Sequence, residues 1–550
     1  MFELTRRQVL GVAGGGFLLA LAGCSGDDSD SDQKLSDNRV GAMSDYKAGD
    51  QFKATEPLTF TVLYNNHPNY PIQKDWLFWS ELEKRTGVKF QTTEVPLSDY
   101  NSKRSLILGS GDAPFIIPKT YRPDEEPFVA SGTVLPVSDY LDLMPNFQDK
   151  INKWNLQSDM DSLRQADGKF YLLPGLHEDV WTDYTLAVRT DVLQKHNLQV
   201  PTTWEELRDT LKALKAAYPN SYPFSERFNQ SPPTAPGGNL LNILGQAYGV
   251  NGGWNYQNAT WDYNASKWVF TGAADGYKQM IEYLNTLVKE GLLDPESFTQ
   301  SDDQARQKFA SGKSFVISAN AQSIVNDYRP DLAKVQGATV AKIPIPIGPM
   351  GPVRSGPGAS RLENGVMISK KARDSKNFVA MMQFVDWLWY SDAGEEFARW
   401  GVEGVTYTKD GSGKRTLTPD VNMLDLNPQG TKHLQKDFGF YNGVFAYGGK
   451  TELLESFFSD EEREFQKAMN SRKTLPVPPP HPFTEEEREQ ATLLESPLKD
   501  FVTQQTVKFI LGQRPLDQWD AYVSELKAKN MDQYMELITK AYDRFKKDHG

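Results

Sequence analysis

The chain has 550 residues, of which 39% are apolar and 12% aromatic, and a formal charge of −12 at pH 7. This length favours two or more lobes over one core. The negative charge argues against nucleic acid and anionic membrane surfaces as partners, because both are bound through a basic face. A single cysteine, Cys24, leaves no intrachain disulfide.

The N-terminus has the pattern of a secretory signal peptide over residues 1–23. Arg6 and Arg7 precede a short, glycine-rich apolar run, which is too short to cross a hydrocarbon layer of about 30 Å as a stable helix. The run ends in Leu21-Ala22-Gly23-Cys24, which resembles a bacterial lipobox. This resemblance implies a lipidated Cys24 and a protein held at the extracellular face of the cell membrane. The arginine pair also resembles a twin-arginine signal, so the export route stays open.

Residues 24–54 are rich in acidic and small polar side chains and read as a flexible tether. The folded body then begins with an alternating strand pattern over 58–64, followed by a helical pattern over 74–87 that ends at Gly87. A second strand pattern covers 88–95. Strand, helix and strand with short connections predict a βαβ unit in an α/β sheet.

Helix signals recur further along the chain. Thr203 and Glu206 have the spacing of a capping box, as do Thr484 and Glu487. An apolar helix is predicted over 378–389, and the C-terminal region from about 484 is predicted to be helical. The segment 409–416 is typical of a hairpin turn.

No motif of a catalytic or metal site is recognisable. The six histidines form no HExxH pattern or Cys/His cluster. The sequence contains no GxSxG elbow and no GxxxxGK[ST] loop. We therefore assign no catalytic residue, metal or cofactor.

Several segments in this order resemble the extracellular solute-binding lipoproteins of bacterial ABC carbohydrate importers, specifically the longer oligosaccharide-binding members. The segments read NSKRSLILGSGDAPFII (101–117), SGTVLPVSDYL (131–141), DGKFYLLPG (167–175), LAVRTDVLQKHNLQVPTTWEEL (186–207), GKSFVISANAQSIVNDY (312–328), WGVEGVTYTKDG (400–411) and KFILGQRPLDQWDAYVSELK (508–527). The resemblance spans about residues 57–546. Some longer relatives carry a calcium loop resembling an EF-hand, but residues 215–228 lack its pattern of acids around glycine, so no calcium is expected there.

The resemblance implies an α/β, two-lobe periplasmic-binding-protein-like fold of the class II type, with a hinge, a ligand cleft between the lobes and extra C-terminal helices. Lobe 1 would comprise 55–178 plus 358–412, and lobe 2 would comprise 180–355 plus 413–550. The implied protein is a monomer that captures an extracellular oligosaccharide and delivers it to the permease subunits of an ABC transporter.

Candidate ligand-binding residues follow from the chemistry of sugars, whose C–H faces suit aromatic rings and whose hydroxyls suit planar polar groups. The tryptophans that lie in polar or glycine-rich loops are the best candidates for the faces: Trp181, Trp254 and Trp400. Others, such as Trp204, Trp387, Trp389 and Trp519, lie in predicted helices and have a structural explanation.

The polar candidates lie near predicted strand ends or the expected lobe crossing: His177, Glu178, Asn65, Asn66, His67, Asn320, Gln322, Arg361 and Glu403. For His177 and Glu178 the sequence agrees equally well with ligand binding and with a structural role. Residues 65–67 also fit a solvated loop. Arg361 fits an interlobe ion pair as well as a ligand clamp. Glu403 could suggest a catalytic acid, but it is assigned to the cleft or a turn.

Two other functions stay open. A secreted carbohydrate-active enzyme, such as a glycosidase or lyase, would also use an acidic, aromatic-rich cleft. A receptor for a peptide or another non-sugar solute is the third possibility.

Overall fold

The predicted strand-helix-strand unit forms one edge of a five-stranded sheet in the computed structural model, which describes residues 35–228, 237–356 and 360–549. Strand β1 (Leu58–Asn66) pairs in parallel with β2 (Val88–Pro96), and α1 (Leu77–Thr86) connects them. Helix α1 ends at Gly87, whose φ of 73° is left-handed and whose N–H donates to the Glu83 carbonyl. The predicted βαβ unit and its glycine stop are thus confirmed.

The remaining strands have the following bounds: β3 (Ile116–Thr120), β4 (Leu173–Leu176), β5 (Thr185–Arg189), β6 (Ala259–Asp262), β7 (Lys267–Phe270), β8 (Val316–Ala319), β9 (Val340–Ile343), β10 (Leu362–Ile368), β11 (Tyr407–Lys409), β12 (Arg415–Leu417), β13 (Val421–Asn422) and β14 (Lys432–His433). The first sheet has the order β2-β1-β3-β10-β4, with β10 antiparallel to both of its neighbours. The second has the order β8-β5-β9, with β5 antiparallel to both. The β11–β12 hairpin confirms the turn predicted over 409–416.

The helices that follow α1 have the following bounds: α2 (Tyr100–Gly109), α3 (Glu126–Ala130), α4 (Pro145–Lys153), α5 (Gln157–Asp161), α6 (Thr190–Lys195), α7 (Trp204–Ala217), α8 (Gly238–Tyr248), α9 (Asp275–Lys289), α10 (Asp302–Ala310), α11 (Ala321–Ser323), α12 (Arg329–Leu332), α13 (Phe378–Tyr390), α14 (Asp392–Trp400), α15 (Leu434–Phe438), α16 (Thr451–Glu455), α17 (Asp460–Asn470), α18 (Glu485–Ile510), α19 (Trp519–Ala528) and α20 (Met531–His549). Within the described ranges, no helix is both long and apolar enough to cross a membrane.

Apolar side chains cover both faces of each sheet, so that each sheet is the centre of one lobe. The first lobe draws its buried residues from 52–176 and 366–457, and the second from 186–345 and 465–541. Among the described residues, the chain therefore crosses between the lobes three times, through residues 177–185, 346–365 with the exception of 357–359, and 458–464. This arrangement is the expected two-lobe α/β fold with additional C-terminal helices.

The lobe boundaries differ from the expected ones in the C-terminal half. We expected 413–550 to belong to the second lobe, but buried residues from Leu417 to Phe457 pack in the first. Phe445 explains part of the difference, because its ring stacks on Phe78 of α1 at 4.8 Å and on Phe90 of β2 at 5.4 Å. These aromatic contacts attach the segment to the first sheet.

The described part of the expected tether, residues 35–54, also packs against the first lobe. Phe52 is fully buried, with its ring 5.9 Å from Phe384 of α13. The Tyr46 hydroxyl donates to Asp386 at 3.0 Å. The body of the protein therefore begins before residue 55. Cys24 and the rest of the predicted signal and tether, residues 1–34, lie outside the described residues.

The predicted helix caps are present, one of them in altered form. Thr484 and Glu487 form a reciprocal capping box at the start of α18. At α7 the Thr203 hydroxyl accepts from the Glu206 N–H at 3.1 Å, but the Glu206 carboxylate accepts from the Thr202 N–H at 2.7 Å. The carboxylate thus satisfies the amide one residue earlier than predicted.

Candidate functional site

The three crossing segments meet at a cavity of about 310 Å³ that is lined from both lobes. Such a position between two packed lobes is where binding clefts commonly occur. Its aromatic lining consists of Tyr70, Trp181, Tyr184, Tyr441, Tyr447, Phe457 and Phe458. Its charged lining consists of Lys119, Asp183, Arg329, Lys342, Glu363, Arg399, Glu461 and Glu462.

Trp181 is the most exposed of the bulky apolar side chains in the lining. It keeps 37% of its surface exposed, which is unusual for a tryptophan beside a cavity. Its ring lies 6.1 Å from Phe458, which belongs to the third crossing. Together the two rings form an apolar wall that fits the face of a ring-shaped ligand.

Glu363 is held ionised at the meeting point of two crossings. Its Oε2 lies 3.0 Å from His177 Nε2 and accepts from the Gly448 N–H at 2.8 Å. Burial opposes ionisation, but the contacts with His177 and Gly448 outweigh it and lower the pKa of Glu363 to about 2. Glu363 thus carries a negative charge that His177 and the Gly448 amide already satisfy.

On the second-lobe side, Lys342 neutralises one of the lining acids. Its Nζ lies 2.9 Å from Glu462 Oε2 and donates to the Asp183 carbonyl at 3.1 Å. Burial, reinforced by Glu462, raises the pKa of Asp183 to about 6 although Lys342 acts in the opposite direction. Asn320 Nδ2 donates to Asp183 Oδ2 at 3.4 Å. Asp183 therefore titrates close to neutral pH within the cavity.

Two arginines complete the charged lining. Arg329 forms an ion pair with Glu461, which belongs to the third crossing. The Arg399 guanidinium donates to the Gly448 carbonyl. Because most lining charges are fixed by partners, the cavity is polar but largely organised before a ligand enters.

Of the sequence candidates, the structure brings Trp181, Asn320 and Gln322 together in the cavity lining. Asn320 follows β8 and caps α11, where its side chain accepts from the Ser323 N–H at 2.9 Å. This turn at the strand end directs Asn320 and Gln322 toward the cavity. Ligand binding by these three residues stays a prediction.

Trp254 lies next to the cavity rather than in its lining. Its ring packs at 5.0 Å from Tyr184, which does line the cavity, and at 5.9 Å from Phe228. The three rings form an aromatic cluster that extends the wall on the second-lobe side. Trp254, which was predicted to contact the ligand, thus lies one layer of residues behind the cavity lining.

Residues 65–67 support the first-lobe side of the cavity. The His67 ring stacks on Tyr70 with centroids 4.4 Å apart, and Tyr70 lines the cavity. Asn66 Oδ1 accepts from the Ile72 N–H at 3.0 Å, which closes the loop. Asn65 is buried at the end of β1. These contacts position Tyr70.

His177, Glu178 and Arg361 hold the crossing segments in place. Glu178 Oε2 accepts from the Thr451 N–H at 2.8 Å, and His177 contacts Glu363 as described above. Arg361 donates to the Trp154 carbonyl at 2.7 Å and pairs with Asp159 at 3.1 Å. Trp154 and Asp159 belong to the first lobe, so the Arg361 ion pair is not the interlobe one that the sequence left open.

Trp400 and Glu403 lie outside the cavity lining. Trp400 is 1% exposed and stacks on Phe457 at 4.2 Å, so it belongs to the first-lobe core. Glu403 is exposed in the turn that follows α14. Trp400 differs from the expectation because it ends α14 with its ring covered by Phe457, whereas Glu403 lies in a turn, which is one of the two positions expected for it.

Sequence reasoning missed most of the charged lining. Lys119 follows the same rule that selected residues 65–67, since it lies at the carboxyl end of a strand, here β3. Asp183 and Tyr184 belong to the segment that supplied Trp181. Tyr441 and Glu462 had no local signal, because the long-range packing of 417–457 brings Tyr441 to the cavity and the third crossing, which follows that segment, brings Glu462.

Within the described ranges, no group of three or more His, Cys, Asp or Glu side chains is arranged to hold a metal ion. The lining instead combines aromatic faces with hydrogen-bonding groups. Such a surface can bind a polar ligand that also has flat apolar faces.

Comparisons with known proteins agree with this arrangement. The chain is 22% identical over 529 residues to the fructooligosaccharide ABC transporter substrate-binding protein FusA of Streptococcus pneumoniae, covering 91% of this chain and 93% of that protein. It is 24% identical to the polygalacturonan/rhamnogalacturonan-binding protein YtcQ of Bacillus subtilis, covering 71% of each. The structure of the alginate-binding protein AlgQ2 superposes with a TM-score of 0.69 at 19% identity, covering 90% of this chain and 99% of that one.

Residues 69–394, more than half of the chain, match the family described as bacterial extracellular solute-binding protein. The match covers the second sheet, every strand of the first sheet except β1, and the first two crossings. The chain belongs to the bacterial extracellular solute-binding protein family.

Proposed function

We propose that the protein is the substrate-binding lipoprotein of an ABC transporter, which captures an extracellular oligosaccharide and delivers it to the permease. The observation that carries this proposal is the cavity at the three crossings, lined by aromatic rings and by hydrogen-bonding groups from both lobes. A ligand that contacts both lobes favours their closure, because it binds the closed state more tightly than the open one.

The chemistry of the lining supports a sugar. Trp181 and Tyr184 offer aromatic surfaces, while Asn320 and Gln322 offer planar amides for hydroxyl groups. FusA and AlgQ2 are named for binding fructooligosaccharide and alginate, and both are similar to this chain over about nine tenths of its length.

We further propose that the protein binds its ligand without covalent chemistry. Glycoside hydrolysis requires two carboxyl groups that are free to act as acid and base or nucleophile. Three of the four acids in the lining are paired with a basic side chain: Glu363 with His177, Glu461 with Arg329 and Glu462 with Lys342. Within the described residues, the fourth acid, Asp183, forms no ion pair. This arrangement supports a receptor rather than a carbohydrate-active enzyme.

Incubation with a panel of oligosaccharides and peptides tests the proposal. We expect one or more glycans to produce a saturable change in tryptophan fluorescence and to be recovered at unchanged mass. Release of shorter fragments would instead identify an enzyme, and binding of peptides alone would identify a receptor for a different solute.

We also propose that residues 1–23 are removed and that Cys24 is then lipidated. The lipid would tether the receptor, which we propose to be a monomer, to the outer face of the cell membrane. One acyl chain alone holds a protein only weakly at a membrane, so this anchor requires more than one. The Cys24→Ser substitution should move the protein from the membrane fraction into the soluble fraction, as measured by membrane fractionation. A variant that stays wholly with the membranes would contradict the anchor.

A further inference from the structure

Lys119 occupies an unusual backbone conformation at the end of β3, beside the cavity. Its φ is 57°, in the left-handed region that residues other than glycine seldom adopt. Arg104 Nη1 donates to the Lys119 carbonyl at 3.1 Å, and Arg104 is itself paired with Asp124 at 2.7 Å. Backbone conformations of this kind are found preferentially at functional sites.

The Lys119 ammonium is placed between phenol rings inside the cavity lining. Its Nζ lies 5.8 Å from the centroid of the Tyr121 ring, and Tyr70 lies on the same side. Gly443 faces it closely, since a Cβ at that position would lie 3.1 Å from Nζ. The glycine therefore leaves space around the ammonium that a larger residue would fill.

Two of the four lining cations, Lys119 and Arg399, form no ion pair with a carboxylate within the described residues, and Arg399 is bound to the Gly448 carbonyl instead. Lys342 pairs with Glu462 and Arg329 pairs with Glu461, whereas within the described residues no carboxylate forms an ion pair with Lys119. Glu363 acts on Lys119 electrostatically, but its Oε2 is already engaged by His177 and Gly448.

We propose that Lys119 binds a carboxylate of the ligand, and hence that the ligand is an acidic oligosaccharide containing uronic-acid-type sugars. This inference rests on the proposed oligosaccharide-binding function. The Lys119 ammonium is partly buried and has no ion-pair partner within the described residues, and a ligand carboxylate would supply one through a charge-assisted hydrogen bond. The carboxylate would face the first lobe, and the hydroxyls would face Asp183 and Asn320 of the second-lobe side.

Matched pairs of oligosaccharides test this inference directly. Oligogalacturonides and galactose oligomers of the same α-1,4 linkage form one pair, and oligomannuronides and manno-oligosaccharides of the same β-1,4 linkage form another, because the members of each pair then differ chiefly in a carboxylate at C6. Calorimetric titration of the wild-type protein, Lys119→Gln and the control Lys103→Gln, at low and high salt, measures the contribution of the charge. Lys103 is an exposed lysine of α2, outside the cavity.

We expect an acidic member to bind more tightly than its neutral counterpart, with its affinity reduced about 10- to 100-fold in Lys119→Gln and unchanged in Lys103→Gln. The salt dependence should also decrease in Lys119→Gln. Lys119→Arg, which keeps the charge, should restore much of the preference, because the preference depends on the charge and not on a perturbation of the fold by Lys119→Gln.

Equal or tighter binding of the neutral members, or acidic binding that Lys119→Gln leaves unchanged, would overturn the acidic-ligand inference while leaving the receptor function in place. Binding of no oligosaccharide in either series would overturn the acidic-ligand inference, and binding of none in the wider panel as well would overturn the proposed function itself.

Discussion

Glu126 Oε2 lies 2.6 Å from Arg488 Nη2, and this ion pair joins the first lobe to the second away from the three crossings. Glu126 begins α3, whose Phe128 packs under the first sheet. Arg488 belongs to α18, which packs in the second-lobe core. If the lobes open about the three crossings, as the proposed receptor function requires, this pair has to break.

Glu126→Gln should therefore shift the protein toward a more open arrangement. The side chains are 15% and 21% exposed, so loss of the pair should cost about 1–3 kcal/mol, between the values for exposed and buried pairs. Energy transfer between dyes on the two lobes measures the shift. Glu81→Gln, which removes the ion pairs of Glu81 with Lys84 and Arg85 within α1, is the matched control. Identical distance distributions in Glu126→Gln and wild type would contradict a closing role.

Trp181→Ala should weaken binding of the glycan that the panel identifies. Removal of a half-exposed ring that stacks on a sugar should reduce affinity about tenfold or more and abolish most of the fluorescence change. Trp261→Phe, on the β6–β7 hairpin and outside the cavity lining, serves as the control for tryptophan loss. If Trp181→Ala binds as wild type does, this ring does not contact the ligand.

Binding should depend on pH through Asp183, whose pKa is raised to about 6 by burial. If ligand hydroxyls donate to the ionised carboxylate, affinity is highest above pH 6 and falls as the pH decreases through 6, by at most about tenfold per pH unit. Asp183→Asn should remove this dependence between pH 5 and 7.5. A wild-type affinity that is constant over that range would exclude Asp183 from the contact.

His481 should make the folded protein sensitive to acid. Its ring lies 4.2 Å from Trp268, and burial, with Arg122 and Arg488 nearby, lowers its pKa to about 3. The unfolded chain takes up a proton near pH 6.5, so this contribution to stability is present above pH 6.5 and decreases as the pH falls toward 3.

His481→Phe should therefore flatten the decline in unfolding temperature between pH 6 and 4, where one proton accounts for at most about 1.4 kcal/mol per pH unit. His196→Gln, at a half-exposed histidine, should leave the decline unchanged. Equal slopes in His481→Phe and wild type would show that acid sensitivity arises elsewhere.

Local patterns predicted the local structure well. The βαβ unit, the Gly87 helix stop, the 409–416 hairpin and the Thr484 capping box depend on residues close together in sequence, and all are present. The packing of 417–457 on the first lobe depends on contacts such as Phe78 with Phe445, which no periodicity reveals.

The same distinction between local patterns and long-range contacts applies to the candidate site. Trp181, Asn320 and Gln322 lie in loops that follow strands, and the structure places them in the cavity lining. Trp400 shares that loop signature, but a distant residue, Phe457, covers it. Residues at strand ends are thus predictable candidates, while the partners that bury or expose them are set by long-range folding.

A crystal structure of the complex with the glycan identified by titration tests the central claim most directly. The account predicts an intact glycan in the cavity at the three crossings, touching Trp181 and contacting residues of both lobes. A glycan bound to only one lobe, or at a surface away from these crossings, would contradict it.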